Sequence, residues 1–183
     1  MLKHLPNLLS VLRLMVAPLA AWALWNGHDT AALAMFACAG LSDLADGVIA
    51  RHWGVTSRFG AWLDPAADKL LMILCFVVLL QLGEAPFWLV VLVLARDIAI
   101  ALGATIAWAL ALPLRIAPLI VGKATTAVQV GYVGIWLLLL ALDLDAPRLM
   151  LAGAYTVAVF TFLSAFAYGH LFLRALFFGS RTA

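Results

Sequence analysis

Six times along this chain, roughly twenty residues pass with few charges among them, at about 5–25, 31–52, 59–82, 86–111, 121–142 and 148–177. A helix of that length spans the roughly 30 Å hydrocarbon layer of a bilayer at 1.5 Å per residue. Composition agrees: 67% of the residues are hydrophobic, 11% are charged and the mean hydropathy is +1.12, so the polar surface that a soluble domain needs is missing. The sequence predicts an all-α integral membrane protein, with six transmembrane helices in one bundle. The connections are short, and a single membrane domain over 1–183 is expected.

Lysine and arginine orient the bundle. Lys3, Arg51, Arg58, Arg115, Lys123, Arg174 and Arg181 fall at the termini or at the connections after the second and fourth spans. The other three connections hold Asp29, Glu84, Asp143 and Asp145, with Arg148 as their only basic residue. Basic residues collect on cytoplasmic loops, so both termini are expected in the cytoplasm. Arg13 interrupts the first apolar run and no small-residue cleavage site precedes the second, so the first segment reads as a retained helix rather than a cleaved signal. Cys38 and Cys75 lie within spans and read as small packing groups, not as a disulfide framework or a metal cluster. The formal charge of +2 suits an anionic leaflet and points to no nucleic-acid partner.

Against this background, five acids stand out within the spans: Asp43, Asp46, Asp64, Asp68 and Asp97. A carboxylate inside a bilayer costs several kcal/mol unless it meets a cavity, a partner or an ion, so each is a functional candidate. Asp43, Asp46, Gly47 and Ala50 are three and four residues apart and share one face of the second helix; Gly60, Asp64 and Asp68 do the same on the third. All four of these acids lie within a few turns of the short connection between Arg51 and Arg58. The site is therefore expected to open to the cytoplasm.

Four carboxylates in a low-dielectric cleft repel one another, and hard divalent cations relieve that repulsion. No Cys or His stands at helical spacing on either acidic face, which favours Mg²⁺, Mn²⁺ or Ca²⁺ over zinc. Two such ions, about 3.5–4 Å apart, suit four carboxylates and phosphoryl chemistry. Gly47, Ala50 and Gly60 keep the acidic faces open to a diphosphate, although glycines also occur where membrane helices simply touch. His52 reads as an interfacial loop residue.

Written out, the pattern is Asp43-x2-Asp46-Gly47-x2-Ala50-Arg51-x8-Gly60-x3-Asp64-x3-Asp68. It resembles, without a gap, the signature of the CDP-alcohol phosphotransferase (phosphatidyltransferase) family. That resemblance implies a six-helix membrane enzyme that moves a phosphatidyl or related group from a CDP-linked donor to an alcohol with a divalent metal, here Mg²⁺ or Mn²⁺, and releases CMP. It further implies that Asp43, Asp46, Asp64 and Asp68 bind two metal ions, that Asp68 is also the general base, and that Gly47, Arg51 and Gly60 contact the CDP moiety. A homodimer is also implied. Leu5 to Arg13, Ala39 to Leu44, Leu63 to Lys69, Ala95-Arg96-Asp97 and Lys123 to Gln129 resemble cardiolipin synthases of the eukaryotic type, which use CDP-diacylglycerol and phosphatidylglycerol.

Relatives that make phosphatidylglycerol phosphate from glycerol 3-phosphate often show Gly-Lys-x-Lys-Thr-x2-Gln ahead of the fifth span. Here Gly122 and Lys123 match, but Thr125 stands in place of the second lysine; cardiolipin synthases usually have Ser-Lys-x-Asn-Thr, from which Gly122 and Thr125 also depart. Phosphatidylglycerol is the favoured acceptor and glycerol 3-phosphate the alternative. A divalent-cation transporter is the rival from another class, disfavoured by acids gathered towards one interface and by Arg51 beside them.

The remaining polar residues carry two readings each. Arg96 and Asp97 lie well within the fourth span; adjacent helical residues point about 100° apart, which argues against their pairing with each other and for Arg96 binding acceptor phosphate while Asp97 tethers helices. Lys123 and Arg115 are acceptor-phosphate candidates or topology signals. Asn7, Ser10 and Arg13 share a face; the resemblance turns Asn7 and Ser10 towards CDP-diacylglycerol, where a capped helix start is the plainer account. Lys69 either snorkels or pairs with an acid. Tyr168 and His170 read as interfacial anchors.

Overall fold

The computed structural model describes the backbone of residues 5–53, 60–110 and 119–178, with side chains described over 11–42, 67–110 and 119–177. Among these residues the chain forms six helices: α1 (Leu5–Trp25), α2 (Asp29–Trp53), α3 (Gly60–Gln81), α4 (Phe87–Ala109), α5 (Ile120–Ala141) and α6 (Pro147–Phe178). Each boundary falls close to the expected one, because few residues separate one apolar run from the next. Among the described residues, α4, α5 and the stretch Pro147–Phe177 are long and apolar enough to cross a membrane, and Val11–Trp25 and Asp29–Ser42 add shorter apolar stretches.

Three helices stop in the same way. After α1, Gly27 takes φ 74°, its N–H donates to the Leu24 carbonyl, and the His28 N–H reaches back to Ala23 at 2.8 Å. After α3, Gly83 takes φ 81°, with Gly83 donating to Leu80 and Glu84 to Leu79. After α5 the left-handed residue is Asp143, φ 53°, with Asp143 donating to Leu140 and Leu144 to Leu139. This paired bonding satisfies carbonyls that a helix end would otherwise leave open, and it needs one residue in the left-handed region. Pro86 in extended conformation and Pro147 as a first helical residue then start α4 and α6, where a missing N–H costs nothing.

The residues group into two compact units. One holds α1, α2, α3 and residues 133–141 of α5; α1 packs on both α2 and α3. Its contact stripe on α1 is Arg13, Ala17, Ala20 and Leu24, all at most 2% exposed. Alanines there let neighbouring backbones approach closely, which is how helices gain contact in a medium as apolar as their own side chains. Ala32, Phe36 and Ala39 continue the packing on α2, and Ala67, Leu71, Cys75 and Leu79 on α3. Cys38, in contrast, is exposed.

The other unit holds α4, residues 120–132 of α5, and α6. Leu89, Val93 and Arg96 form the buried stripe of α4; Ala154, Val157, Thr161 and Ser164 form that of α6. Trp88 and Tyr155 stack across the two helices with ring centroids 5.6 Å apart. A buried arginine thus occupies a position that the helical repeat reserves for an apolar side chain.

Asp143 is the one described non-glycine residue with positive φ. Replacing Asp143 with Gly is expected to stabilise the protein by about 0.5–1 kcal/mol by removing the Cβ penalty, whereas Gly83→Ala should cost a similar amount. Thermal unfolding in detergent, comparing both variants with the parent, checks the opposite signs.

Candidate active site

The first charged site grows out of the α1 stripe. Arg13 stands one helical turn before Ala17, so the register that packs α1 also carries a guanidinium into the unit, where it is 2% exposed. Its Nη1 donates to Oδ1 of Asp68 on α3 at 2.7 Å. The two ends of this bond differ: the Arg13 side chain is 1% exposed and that of Asp68 is 43% exposed. The carboxylate is therefore gripped on its buried side and open on another. A permanent positive charge beside it offsets part of the cost of carrying an acid in an apolar helix.

Asp68 is the described member of the acidic set. Asp43 and Asp46 belong to α2 and Asp64 to α3, so the backbone retains the helical spacing on which the pattern depends, but these side chains lie outside the described residues. The same holds for Asn7, Ser10, Gly47, Arg51 and Gly60, and Arg115 lies wholly outside them. Among the described residues no three His, Cys, Asp or Glu side chains gather around a common point. Asp68 itself fits a hard cation in donor type and in access, being an oxygen ligand with an open face.

The second site lies in the unit of α4 and α6. Arg96, 7% exposed, donates through Nε to Oγ of Ser164 at 3.2 Å and through Nη2 to the same oxygen, and its Nη1 donates to Oδ1 of Asp97 at 2.7 Å. This corrects the sequence expectation that neighbouring helical residues would not pair. The Arg96 side chain is long enough to turn back to Asp97, and at this depth an unpaired charge would cost more than the bend.

The Arg96 guanidinium also lies 5.9 Å from the ring centroid of Tyr168. The Tyr168 hydroxyl accepts the Leu119 N–H at 3.1 Å, just ahead of α5. A Cβ built on Gly122 would lie 2.7 Å from that hydroxyl, so glycine at this position lets the tyrosine reach the start of α5. Tyr168 is thus a bridge between Arg96 and α5 rather than the interfacial anchor that its place in the sequence suggested; His170 is exposed. Thr125, fully buried, directs its hydroxyl to the carbonyls of Val121 at 2.7 Å and Phe160 at 3.0 Å and ties α5 to α6. Lys123, in the first turn of α5, is exposed.

Between α4 and α6 lies a cavity of about 390 Å³. Ile100, Leu102, Ile106, Leu171 and Phe172 make apolar walls, and Arg96 and Tyr168 supply polar side chains. Leu102 and Ile106 are 57% and 46% exposed, so the cavity has an apolar outer rim.

Long apolar helices with buried charges paired across helix contacts are those of a helical membrane protein. The family profile of CDP-alcohol phosphatidyltransferases matches residues 3–174, and the chain belongs to that family. It is accordingly a transferase, and the cation-transporter reading is set aside. Relatives bear two names. A "Probable phosphatidylglycerophosphate synthase" of Mycobacterium tuberculosis (strain H37Rv) is 36% identical over 166 residues, 86% of this chain and 78% of that protein. A "Cardiolipin synthase (CMP-forming)" of Rattus norvegicus is 31% identical over 189 residues, 91% of this chain and 60% of that protein. A "Probable cardiolipin synthase (CMP-forming)" of Drosophila melanogaster is 39% identical over 95 residues, 51% of this chain and 30% of that protein.

Sequence reasoning missed Arg13 as the partner of Asp68, and Ser164 and Tyr168 as partners of Arg96. The available signal was charge balance within spans, since an arginine at such depth demands an acceptor. The pairing also makes a prediction. Arg96→Met should destabilise the protein by about 3–5 kcal/mol because it removes the buried cation beside Asp97 and the bonds to Ser164, and adding Asp97→Asn should recover part of that loss. Unfolding midpoints of the single and double variants measure the coupling.

Proposed function

We propose that this chain is a CDP-diacylglycerol-dependent phosphatidyltransferase of a bacterial inner membrane, with six spans in one domain, cytoplasmic termini and a site open to the cytoplasm, acting as a homodimer. Its proposed acceptor is phosphatidylglycerol and its products are cardiolipin and CMP. The observation that carries the lipid acceptor is the cavity between α4 and α6, whose walls are apolar and which Arg96 lines. Glycerol 3-phosphate offers such walls no apolar surface, whereas an acyl chain does.

Asp43, Asp46, Asp64 and Asp68 would hold two divalent cations, Mg²⁺ or Mn²⁺, which when bound supply the positive charge that a donor diphosphate and a departing CMP require. Arg51 holds donor phosphate through its forked guanidinium, with Asn7, Ser10, Gly47 and Gly60 shaping the nucleotide end of the site. Lys123 and Arg115 hold the acceptor phosphate, with Arg96, which lines the cavity, joining them by exchanging part of its bonding to Ser164 and Asp97 for the phosphate. The acceptor hydroxyl oxygen forms a bond to the phosphorus next to the lipid, the bond from that phosphorus to the CMP oxygen breaks, and Asp68 takes the hydroxyl proton.

Phosphatidylglycerol phosphate synthesis is the second reading, supported by the relative so named that shares 78% of its length with this chain. Thr125 speaks against it: the place of the second lysine of that branch is fully buried here and spent on joining α5 to α6.

CMP release from CDP-diacylglycerol, with Mg²⁺ or Mn²⁺ and either acceptor, separates the readings. Release with phosphatidylglycerol alone is expected; release with glycerol 3-phosphate alone would move the enzyme to the second reading. EDTA should stop the reaction. Asp68→Asn should abolish turnover in a protein that still folds, with an unfolding midpoint lowered because the carboxylate charge beside the buried Arg13 guanidinium is gone; parent-like turnover would remove the base assignment.

A further inference from the structure

Arg13 has no part in the chemistry described so far, yet it is among the most deeply buried large side chains of its unit. Three observations bear on what it does. Its guanidinium reaches across from α1 to Oδ1 of Asp68 at 2.7 Å. The buried end of that bond belongs to the arginine and the open end to the acid, with side-chain exposures of 1% and 43%. Finally, the α1 residues on either side of the next turns are the alanines Ala17 and Ala20, both nearly inaccessible, so the helix that carries Arg13 is held closely against its neighbours.

We propose that Arg13 is a positioning residue for the transfer reaction: it fixes the rotamer of the Asp68 carboxylate so that its open side faces the acceptor hydroxyl. This rests on the reading of Asp68 as the general base. The physical case is one of degrees of freedom. An aspartate on a helix has rotatable χ1 and χ2, and a half-exposed one samples several orientations unless something holds it. A charge-assisted hydrogen bond from a guanidinium that is itself enclosed by packed helices fixes one oxygen and therefore the plane of the other. A small misplacement of a reacting group costs on the order of 10²-fold in rate. A residue that acts in this way leaves substrate binding largely untouched and shows its effect in turnover.

The alternative is that Arg13 merely ties α1 to α3, and the two roles separate experimentally. The full-length chain is purified as the parent, Arg13→Gln, Arg13→Lys and Asp68→Asn. For each, kcat and KM for CDP-diacylglycerol are measured with phosphatidylglycerol and with glycerol 3-phosphate, alongside the unfolding midpoint. Arg13→Gln is expected to lose on the order of 10²-fold in kcat, with KM for the donor little changed. Arg13→Lys, which keeps a donor and a charge but not the fork, is expected to recover part of kcat.

Parent-like kcat in a folded Arg13→Gln overturns the proposal. So does a parallel fall of kcat, donor affinity and unfolding midpoint in both Arg13 variants, which is the mark of a tether. If Arg13→Gln does not fold, Arg13→Lys decides alone: lowered kcat at unchanged KM upholds the proposal and parent-like kcat overturns it. Asp68→Asn keeps the two readings apart. Parent-like turnover there removes the base assignment and Arg13's role with it, whereas an inactive Asp68→Asn beside a fully active Arg13→Gln removes only the latter.

Discussion

A charge inside an apolar helix bundle must find its counter-charge or its hydrogen-bond partners on the elements that enclose it, and this requirement organises the described structure. Arg13 on α1 meets Asp68 on α3; Arg96 on α4 meets Asp97 beside it and Ser164 on α6. Each arginine stands in a helical stripe otherwise given to small or apolar residues, so the contact that packs the helices also places the charge. Helix packing and site geometry share one register. Between lipid-facing helices there is little hydrophobic gain to drive association, and alanine stripes with a few buried polar bonds supply the close contact and the specificity instead.

The two arginines solve the problem in different ways, and the difference bears on their use. Asp68 keeps an open face while its partner is enclosed, an arrangement suited to an acid that meets something else. Arg96 is enclosed together with its partners, and its ring contact with Tyr168 continues the connection to the start of α5, where Gly122 leaves room for the tyrosine hydroxyl. One hydroxyl on α6 thus links a buried cation to a backbone N–H ahead of α5. A chain with a larger residue at 122 would have to place that ring elsewhere.

Family membership fits this economy. The reaction proposed for this chain would bring strong negative charge and acyl chains to one site. Carboxylates paired with cations serve the first need and apolar cavities the second. The cavity between α4 and α6 combines apolar walls with Arg96 and Tyr168 in this sense.

The helix positions were legible in the sequence because apolar runs of bilayer length, broken by glycine, proline and charges, leave little choice of boundary, and the fixed spacing from Asp43 to Asp68 identified the family. Helical periodicity also placed Arg13 on a face, but it could not say that α3 would lie against that face or that Asp68 would be the residue it met. The expectation that Arg96 and Asp97 would avoid each other failed for a related reason: spacing along one helix ignores how far a long side chain bends when burial leaves it no water. Tyr168 likewise looked like an interfacial residue until Arg96, Leu119 and Gly122 surrounded it. Sequence alone determined which residues are helical and which acids share a register, since those depend on neighbours along the chain. Which charge meets which partner was decided only by tertiary structure, because that depends on side chains brought together from helices far apart in sequence.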